Sequence, residues 1–338
     1  MSTPPEADAP TAADAAPGAG AAAGDGPPLI RTRPSRCCVC GSDERVTVGR
    51  GIDFEYATCS NEWEFVRCAV CGHHYLFPFP DPSELGTIYP PDYANYSNSE
   101  KPSLAFRVKA MMEGRVLRKL AAGLPQGAAA LDVGCGDGRL LDGIARACPQ
   151  VTELAGVEIS DAAAEQARAK GYQVSVGSFE DLEPPHERYD LIFLIQVLEH
   201  LFEPVATLER LHELLSPGGT LLLETPSTDC ADFRRYKDRY WGGYHIPRHL
   251  NLFTAEPLER LLRDRGFEVV SVGHKLQPVH WIWSLHHQYM ERGYPSWWVD
   301  RFHLKNPLLL ALFSAVEVSR LALGKATSNV QIVAKRMG

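Results

Sequence analysis

No stretch of this 338-residue chain strings together the eighteen or so apolar residues of a membrane-spanning helix. Positive charge is also in short supply. Thirty-four Lys and Arg face forty-two Asp and Glu, giving a net charge of -8 and a pI near 5.9. A protein that coats nucleic acid needs a basic footprint, so the charge argues against that class. No Gly-Lys-Ser/Thr ending follows a glycine-rich turn, which removes a phosphate-cradling P-loop. The nine cysteines are an odd number, and four of them form two CxxC pairs. That usage favours metal binding in a reducing compartment over a disulfide framework. Residues 1–28 are rich in Ala, Pro, Gly and Asp, with neither a basic start nor an apolar run. Residues 1–35 are expected to be a disordered tail, not a secretory leader, and the protein is expected to be cytoplasmic. Hydrophobic residues make up 45% and charged residues 22%, an ordinary globular balance, so the remaining length can build a large domain and a small one.

The run LDVGCGDG (131–138) places Gly134, Gly136 and Gly138 between an apolar stretch and a helical one. A strand turning sharply into a helix needs glycine for its backbone angles and for close approach of a ligand. A dinucleotide fingerprint requires Gly or Ala at position 139, where this chain has Arg139. Strand and helix signals then alternate. Strands are expected at 129–133, 154–158, 172–176, 189–195, 220–224, 267–272 and 329–334. Between them lie helices opened by Ser160 and Asp161, by Pro204, and by Thr254 as a cap. A further helix over 103–122 carries Leu104, Val108, Met112, Val116 and Leu120 at helical spacing. Such alternation predicts a doubly wound, parallel α/β sheet with ligands at the carboxyl ends of its strands.

Glu158 ends the second strand, twenty-six residues after Asp132, where a carboxylate can accept both hydroxyls of a ribose. Ser178 and Phe179 follow the third strand, where an adenine would lie, and Gln196 tips the fourth. The acid-x-Gly-x-Gly-x-Gly pattern starting at Asp132 resembles motif I of the class I S-adenosylmethionine (SAM) methyltransferases. The stretches YDLIFLIQVLEHL (189–201) and LLSPGGTLLLETP (214–226) are similar to later motifs of that family. The resemblance covers about 105–272 plus the final strand. It implies a Rossmann-like seven-stranded fold, SAM as cofactor, and a SAM-binding set of Asp132, Gly134, Gly136, Gly138, Glu158, Ile159, Ser178, Phe179 and Gln196. In that family Asp132 would orient the ammonium end of the cofactor. Members usually have an acid at the position of Ser178; here Glu180 and Asp181 come slightly later.

Cys37-x-x-Cys40-Gly and Cys68-x-x-Cys71-Gly form two knuckles separated by twenty-seven residues. Four thiolates make a closed tetrahedral set, so a structural zinc ion is expected. Cys38 and Cys59 are left unassigned. The surrounding segment, 36–100, resembles the zinc-binding N-terminal unit of some sugar methyltransferases. It carries four arginines against ten acids, which argues against RNA as substrate and makes an rRNA methyltransferase the less expected reading. The block YHIPRHLNLFT (244–254) is similar to one in a bacterial subgroup acting on sugars and surface polysaccharides. The expected acceptor is therefore a small molecule, a sugar nucleotide or glycan intermediate; the alternative is a quinone, lipid or secondary metabolite.

Methyl transfer needs proximity and, for some acceptors, a base. His245 and His249 are the candidate bases, with Tyr244 and Arg248 as substrate-binding residues and Arg248 assigned to an anionic group. Glu199-His200 is a second, more structural pair. Between the SAM domain (101–274) and its last strand (329–338), residues 275–328 hold four of the six tryptophans: Trp281, Trp283, Trp297 and Trp298. Six cations there meet three acids, in a chain of opposite net charge. This insertion reads as a lid or homodimer interface, or as an element touching a membrane surface.

Overall fold

The structure is a computed structural model that describes residues 26–90, 104–179 and 188–337. The tail over 1–25, the end of the cysteine segment at 91–103, and Glu180 and Asp181 lie outside the described residues.

Two sheets organise the chain. The larger is built from β4 (Ala128–Val133), β5 (Val151–Glu158), β6 (Gln173–Val176), β7 (Tyr189–Ile195), β8 (Leu215–Pro226), β10 (Phe267–Lys275) and β11 (Asn329–Arg336). Their spatial order is β10-β11-β8-β7-β4-β5-β6. β7 shows why this sheet is buried on both faces. Leu191 and Phe193 join a core with Leu117, Leu141, Ile144, Ala164 and Ala167, whereas Ile192 and Leu194 join one with Leu208, Leu211, Leu258 and Leu261. Strand alternation thus sends successive apolar side chains into two helical layers. One layer holds α1 (Leu104–Leu120), α2 (Arg139–Ala147) and α3 (Asp161–Ala169), and the other holds α4 (Pro204–Leu214) and α6 (Ala255–Asp264). A shorter α5 (Ala231–Tyr236) lies between β8 and α6 in the chain. The seven-stranded, doubly wound α/β fold is the one expected.

Several details differ from the sequence reading. β11 runs antiparallel to both β8 and β10. Its first residue, Asn329, pairs with Lys275, the last of β10. The insertion therefore leaves and re-enters at one edge of the sheet, and the returning strand has no choice but to reverse. The stripe on α1 holds in part: Leu120 packs against the core, and the side chains of Leu104 and Val108 lie outside the described residues. Met112 is exposed, whereas Leu117 and Ala121 are buried, because the C-terminal turns of α1 are the ones that pack on α2. Thr254 stands at the cap position of α6 without a side-chain bond there; Asp229 Oδ2 instead accepts from the Ala255 amide at 3.0 Å. Ser216-Pro217-Gly218-Gly219 remains inside β8 as a register shift between Leu215 and Thr220.

The smaller sheet has the order β9-β3-β2-β1, from β1 (Arg45–Gly51), β2 (Trp63–Cys68), β3 (His74–Phe77) and β9 (Asn251–Leu252). β9 arrives from beyond β8, so the cysteine segment is zipped to the main domain. A shared core unites Trp63, Phe65, Tyr75 and Leu76 with Phe233, Trp241, Tyr244, Ile246 and Leu250. The insertion comprises α7 (Val279–Glu291), a single turn at Ser296–Val299 and α8 (Pro307–Ala322). Among the described residues no helix is long and apolar enough to cross a membrane.

Candidate functional site

The glycine loop connects β4 to α2 at the carboxyl edge of the large sheet. Gly134, Gly136 and Gly138 have φ of 77°, 54° and 83°, the left-handed region that side chains with a Cβ rarely adopt. A Cβ at Gly134 would stand 2.5 Å from Val197 Cγ2, whereas one at Gly136 would meet nothing within 4 Å. The loop is thus tight toward the sheet and open above its centre. Glu158 ends β5 beneath it, buried. One carboxylate oxygen accepts from the Gly136 amide at 2.8 Å and the other from the Ser160 amide at 2.9 Å. Asp132 is buried alongside, and burial followed by the Glu158 charge pushes its carboxyl up to about 8, with Arg139 opposing. Two carboxyl groups crowded under an open loop form a site suited to a cation and to hydroxyl donors. That is the donor set required by the ammonium and ribose ends of SAM.

The rest of the expected cofactor set divides. Ile159, beside Glu158, is an exposed apolar side chain at the rim. Gln196 has a left-handed φ of 55° at the tip of β7, and its Nε2 donates to Asn329 Oδ1 at 3.1 Å. Ser178 is half-buried at the end of the third parallel strand. Phe179 was expected to face an adenine. It is buried in the main core, with the Arg210 guanidinium 5.7 Å from its ring, because the apolar layer beneath the sheet edge captures it.

After β8 the block 244–250 folds into a turn that brings three imidazoles together. The rings of His200 and His249 are 4.7 Å apart between centroids, His245 and His249 4.9 Å, and His200 and His245 6.2 Å. His245 adopts a left-handed φ of 42°. Its Nδ1 lies 2.5 Å from Glu55 Oε2, and both side chains are nearly buried. Burial alone would raise the Glu55 carboxyl, but His245, with His287 and Arg248 behind it, brings it below the usual range. The pair lines a narrow cleft together with Phe54, Arg239, Trp241 and His287. His249 Nδ1 bonds the Gly243 carbonyl at 2.9 Å, and burial with the neighbouring histidines drives its proton affinity well below the usual range.

Arg248 does not take the role expected of it. Its side chain is wholly buried, and both terminal nitrogens reach the buried carboxylate of Asp53 at 3.1 Å. The charge expected to meet an anionic acceptor is already neutralised inside the protein. Tyr244 is likewise buried. It stacks on Phe65 at 4.3 Å and donates its hydroxyl to the Lys237 carbonyl at 2.5 Å, so it fastens the turn where a substrate contact was expected. Glu199 is fully buried. Its Oε2 accepts from Thr225 at 2.9 Å, Oε1 has no partner among the described residues, and burial pushes the carboxyl up to about 8.

Comparison with known proteins agrees with this geometry. A family described as "Methyltransferase domain" matches residues 106–272. The ubiquinone biosynthesis O-methyltransferase of Cereibacter sphaeroides is 31% identical over 181 residues, which are 50% of this chain and 72% of that protein. The chain belongs to the class I SAM-dependent methyltransferases. A relative of the same name in Nitrosospira multiformis is 30% identical over 172 residues, 46% of this chain and 69% of that one. A solved SAM-dependent methyltransferase from Archaeoglobus fulgidus is similar at 16% identity and a TM-score of 0.44, over 69% of this chain and 100% of that chain.

This methyltransferase adds the cysteine knuckles to the matched domain. The four sulfurs of Cys37, Cys40, Cys68 and Cys71 all lie within 4.8 Å of one another, with Cys37–Cys71 at 3.4 Å and Cys40–Cys68 at 3.5 Å. Four sulfurs each about 2.3 Å from a central ion have edges of about 3.8 Å, so the set fits tetrahedral zinc. Each knuckle is closed alike: Gly41 and Gly72, at φ of 73° and 81°, donate to the carbonyls of Cys37 and Cys68. Cys38 stands outside the cluster, against Asn251 and His73. The partner of a candidate base that was missed in the sequence is Glu55. It lies 190 positions from His245, and no local pattern marks it.

Proposed function

We propose that this methyltransferase moves a methyl group from SAM to a hydroxyl of a small quinone- or lipid-type acceptor at the carboxyl edge of the large sheet. The observation that carries the acceptor class is the set of relatives named as ubiquinone biosynthesis O-methyltransferases, 31% identical across 72% of one such protein. SAM supplies an electrophilic methyl carbon when bound. Glu158 and the Gly134–Gly138 backbone hold its ribose, Asp132 faces its cationic end, Ile159 covers the adenine, and Gln196 borders the methionine portion. Acid-rich walls, with Asp132 beside Glu158, support this assignment.

His245 accepts the hydroxyl proton at Nε2, and Glu55 fixes its tautomer and balances the imidazolium that forms. His249 is the poorer base, because burial and two neighbouring imidazoles disfavour its charged form. The four cysteines hold a structural zinc ion, which leaves no position for substrate. A sugar nucleotide or glycan acceptor is the second reading; the knuckle-bearing segment supports it through its resemblance to sugar methyltransferases. Formation of S-adenosylhomocysteine with a panel of polyprenylated or short-chain catechols, set against deoxysugar nucleotides, tests the choice. Turnover with catechols alone is the expected result, and turnover with nucleotide sugars alone overturns it.

A further inference from the structure

We propose that the excursion between β10 and β11 docks this methyltransferase on an anionic lipid bilayer, with α8 lying in the headgroup layer and Trp297 beside it. The idea extends the lipid-type acceptor reading but is carried by the insertion itself. α8 is inside out. Its inner face puts Glu317 fully buried, accepting from the Gln277 amide and Ser328, and stacks Phe313 on Trp281 at 5.5 Å. Its outer face is mostly apolar: Leu308 is 78% exposed, Leu312 55%, Val318 52% and Leu323 70%, with Ala311, Ala315 and Ala322 exposed between them and the Ser319 hydroxyl among them turned back onto the Val316 carbonyl. A helix on an aqueous surface shows the reverse pattern. From Leu308 to Leu323 the strip runs about 22 Å at helical rise. In the short turn Ser296–Val299 that precedes α8 in the chain, Trp297 is 62% exposed, although the other three tryptophans of the insertion are half-buried.

Charge selects the occupant. Of the three acids in the insertion, Glu317 is buried and Glu291, though exposed, is neutralised by Arg239; Asp300 is exposed as well. Arg292, Arg301, Lys305 and Lys325 are all exposed. Lys305 precedes the apolar strip and Lys325 follows it, and the Arg301 guanidinium sits 5.2 Å from the ring of Trp297. An apolar strip bracketed by cations, next to an exposed indole, is the composition of an interfacial helix. A second copy of the chain fits less well, since a two-fold contact would set these cations against their own images. The excursion begins and ends at the carboxyl edge of the sheet, where Lys275 pairs with Asn329 and Thr327 bonds the Lys275 carbonyl. A bilayer under α8 would therefore lie on the side from which the acceptor enters.

The test is co-sedimentation of the full-length protein with vesicles of phosphatidylglycerol and phosphatidylcholine, against phosphatidylcholine alone, at low and high salt. Binding to the anionic vesicles that falls at least tenfold at high salt is expected. The double variant Leu308→Gln/Leu312→Gln and the charge variant Arg301→Glu/Lys305→Glu are each expected to lose it by a similar factor, with SAM affinity by calorimetry unchanged. No binding at low salt overturns the proposal, as does binding that survives both variants. So does a dimer in light scattering that Leu308→Gln/Leu312→Gln dissociates in the absence of vesicle binding. Failure of every catechol acceptor with vesicle binding intact sinks the acceptor reading and leaves this one standing.

Discussion

At the residue scale, substitutions at Glu158 and His245 test the proposed cofactor binding and the proposed chemistry separately. Glu158→Ala removes a charged acceptor from the Gly136 amide and from the ribose site; such bonds are worth about 1.5–3 kcal/mol, so SAM affinity is expected to fall about 10–100-fold in calorimetry. Glu158→Gln keeps an acceptor and should lose less. His245→Ala is expected to lower kcat about 100-fold or more, the usual scale for a general base, with little change in SAM affinity. Glu55→Gln should lower kcat in the same direction, and the double variant should be no worse than His245→Ala alone, because the two groups act as one unit. Additive losses in steady-state kinetics would show that they do not. His245 was legible from its place after the fifth strand, but its partner was not. The same blindness misassigned Arg248: a lone arginine beside two histidines reads as an anion hook, and Asp53 is 195 positions away. Arg248→Ala leaves that carboxylate buried and uncompensated, and is expected to cost about 3–5 kcal/mol in denaturant unfolding.

At the element scale, the knuckles and β9 make the small sheet a brace for the 244–250 turn that carries the proposed base. Cys37 and Cys68 share a core with Tyr244, Ile246 and Leu250, and the Leu76 amide donates to the Leu250 carbonyl at 2.9 Å. Elemental analysis is expected to find one zinc per chain, and none in Cys40→Ala/Cys68→Ala. Chelation should lower the melting temperature and the activity together, since loosening β3 also frees β9 and the 244–250 turn. A chain that keeps full activity without metal would break that link. The CxxC-Gly spacing made the knuckles readable, because the turn chemistry is local. β9 was unreadable: two residues carry no periodicity, and their partner strand lies more than 170 positions earlier. The central strands, such as β4 and β7, were found because they are apolar on both faces. The reversal of β11 escaped notice, since a strand's direction depends on where the chain re-enters and leaves no trace in its own residues.

At the scale of the whole molecule, burial of titratable groups sets an acid and an alkaline limit to stability. Burial holds His73, His280 and His287 down to about 4, and His74 and His200 to about 3. An unfolded histidine titrates near 6.5, so below that pH the unfolded chain binds protons that the folded one refuses. Stability contributed by these five groups is therefore lost as pH falls from about 6.5 toward 4. Asp132 and Glu199 act oppositely. Burial raises both to about 8, so the folded chain keeps protons that the unfolded one releases above about 4, and this contribution fades as pH rises to 8. Five groups outweigh two below about pH 6.5, and the carboxyls act alone above it, so the melting temperature should peak near pH 6.5. Saturating SAM is expected to flatten the alkaline limb, because a cationic ligand beside Asp132 favours the ionised carboxylate that is otherwise costly there. Scanning fluorimetry from pH 5 to 9, with and without SAM, checks both limbs. An alkaline limb that SAM shifts upward without changing its slope would mean that Asp132 does not face the cofactor's positive end.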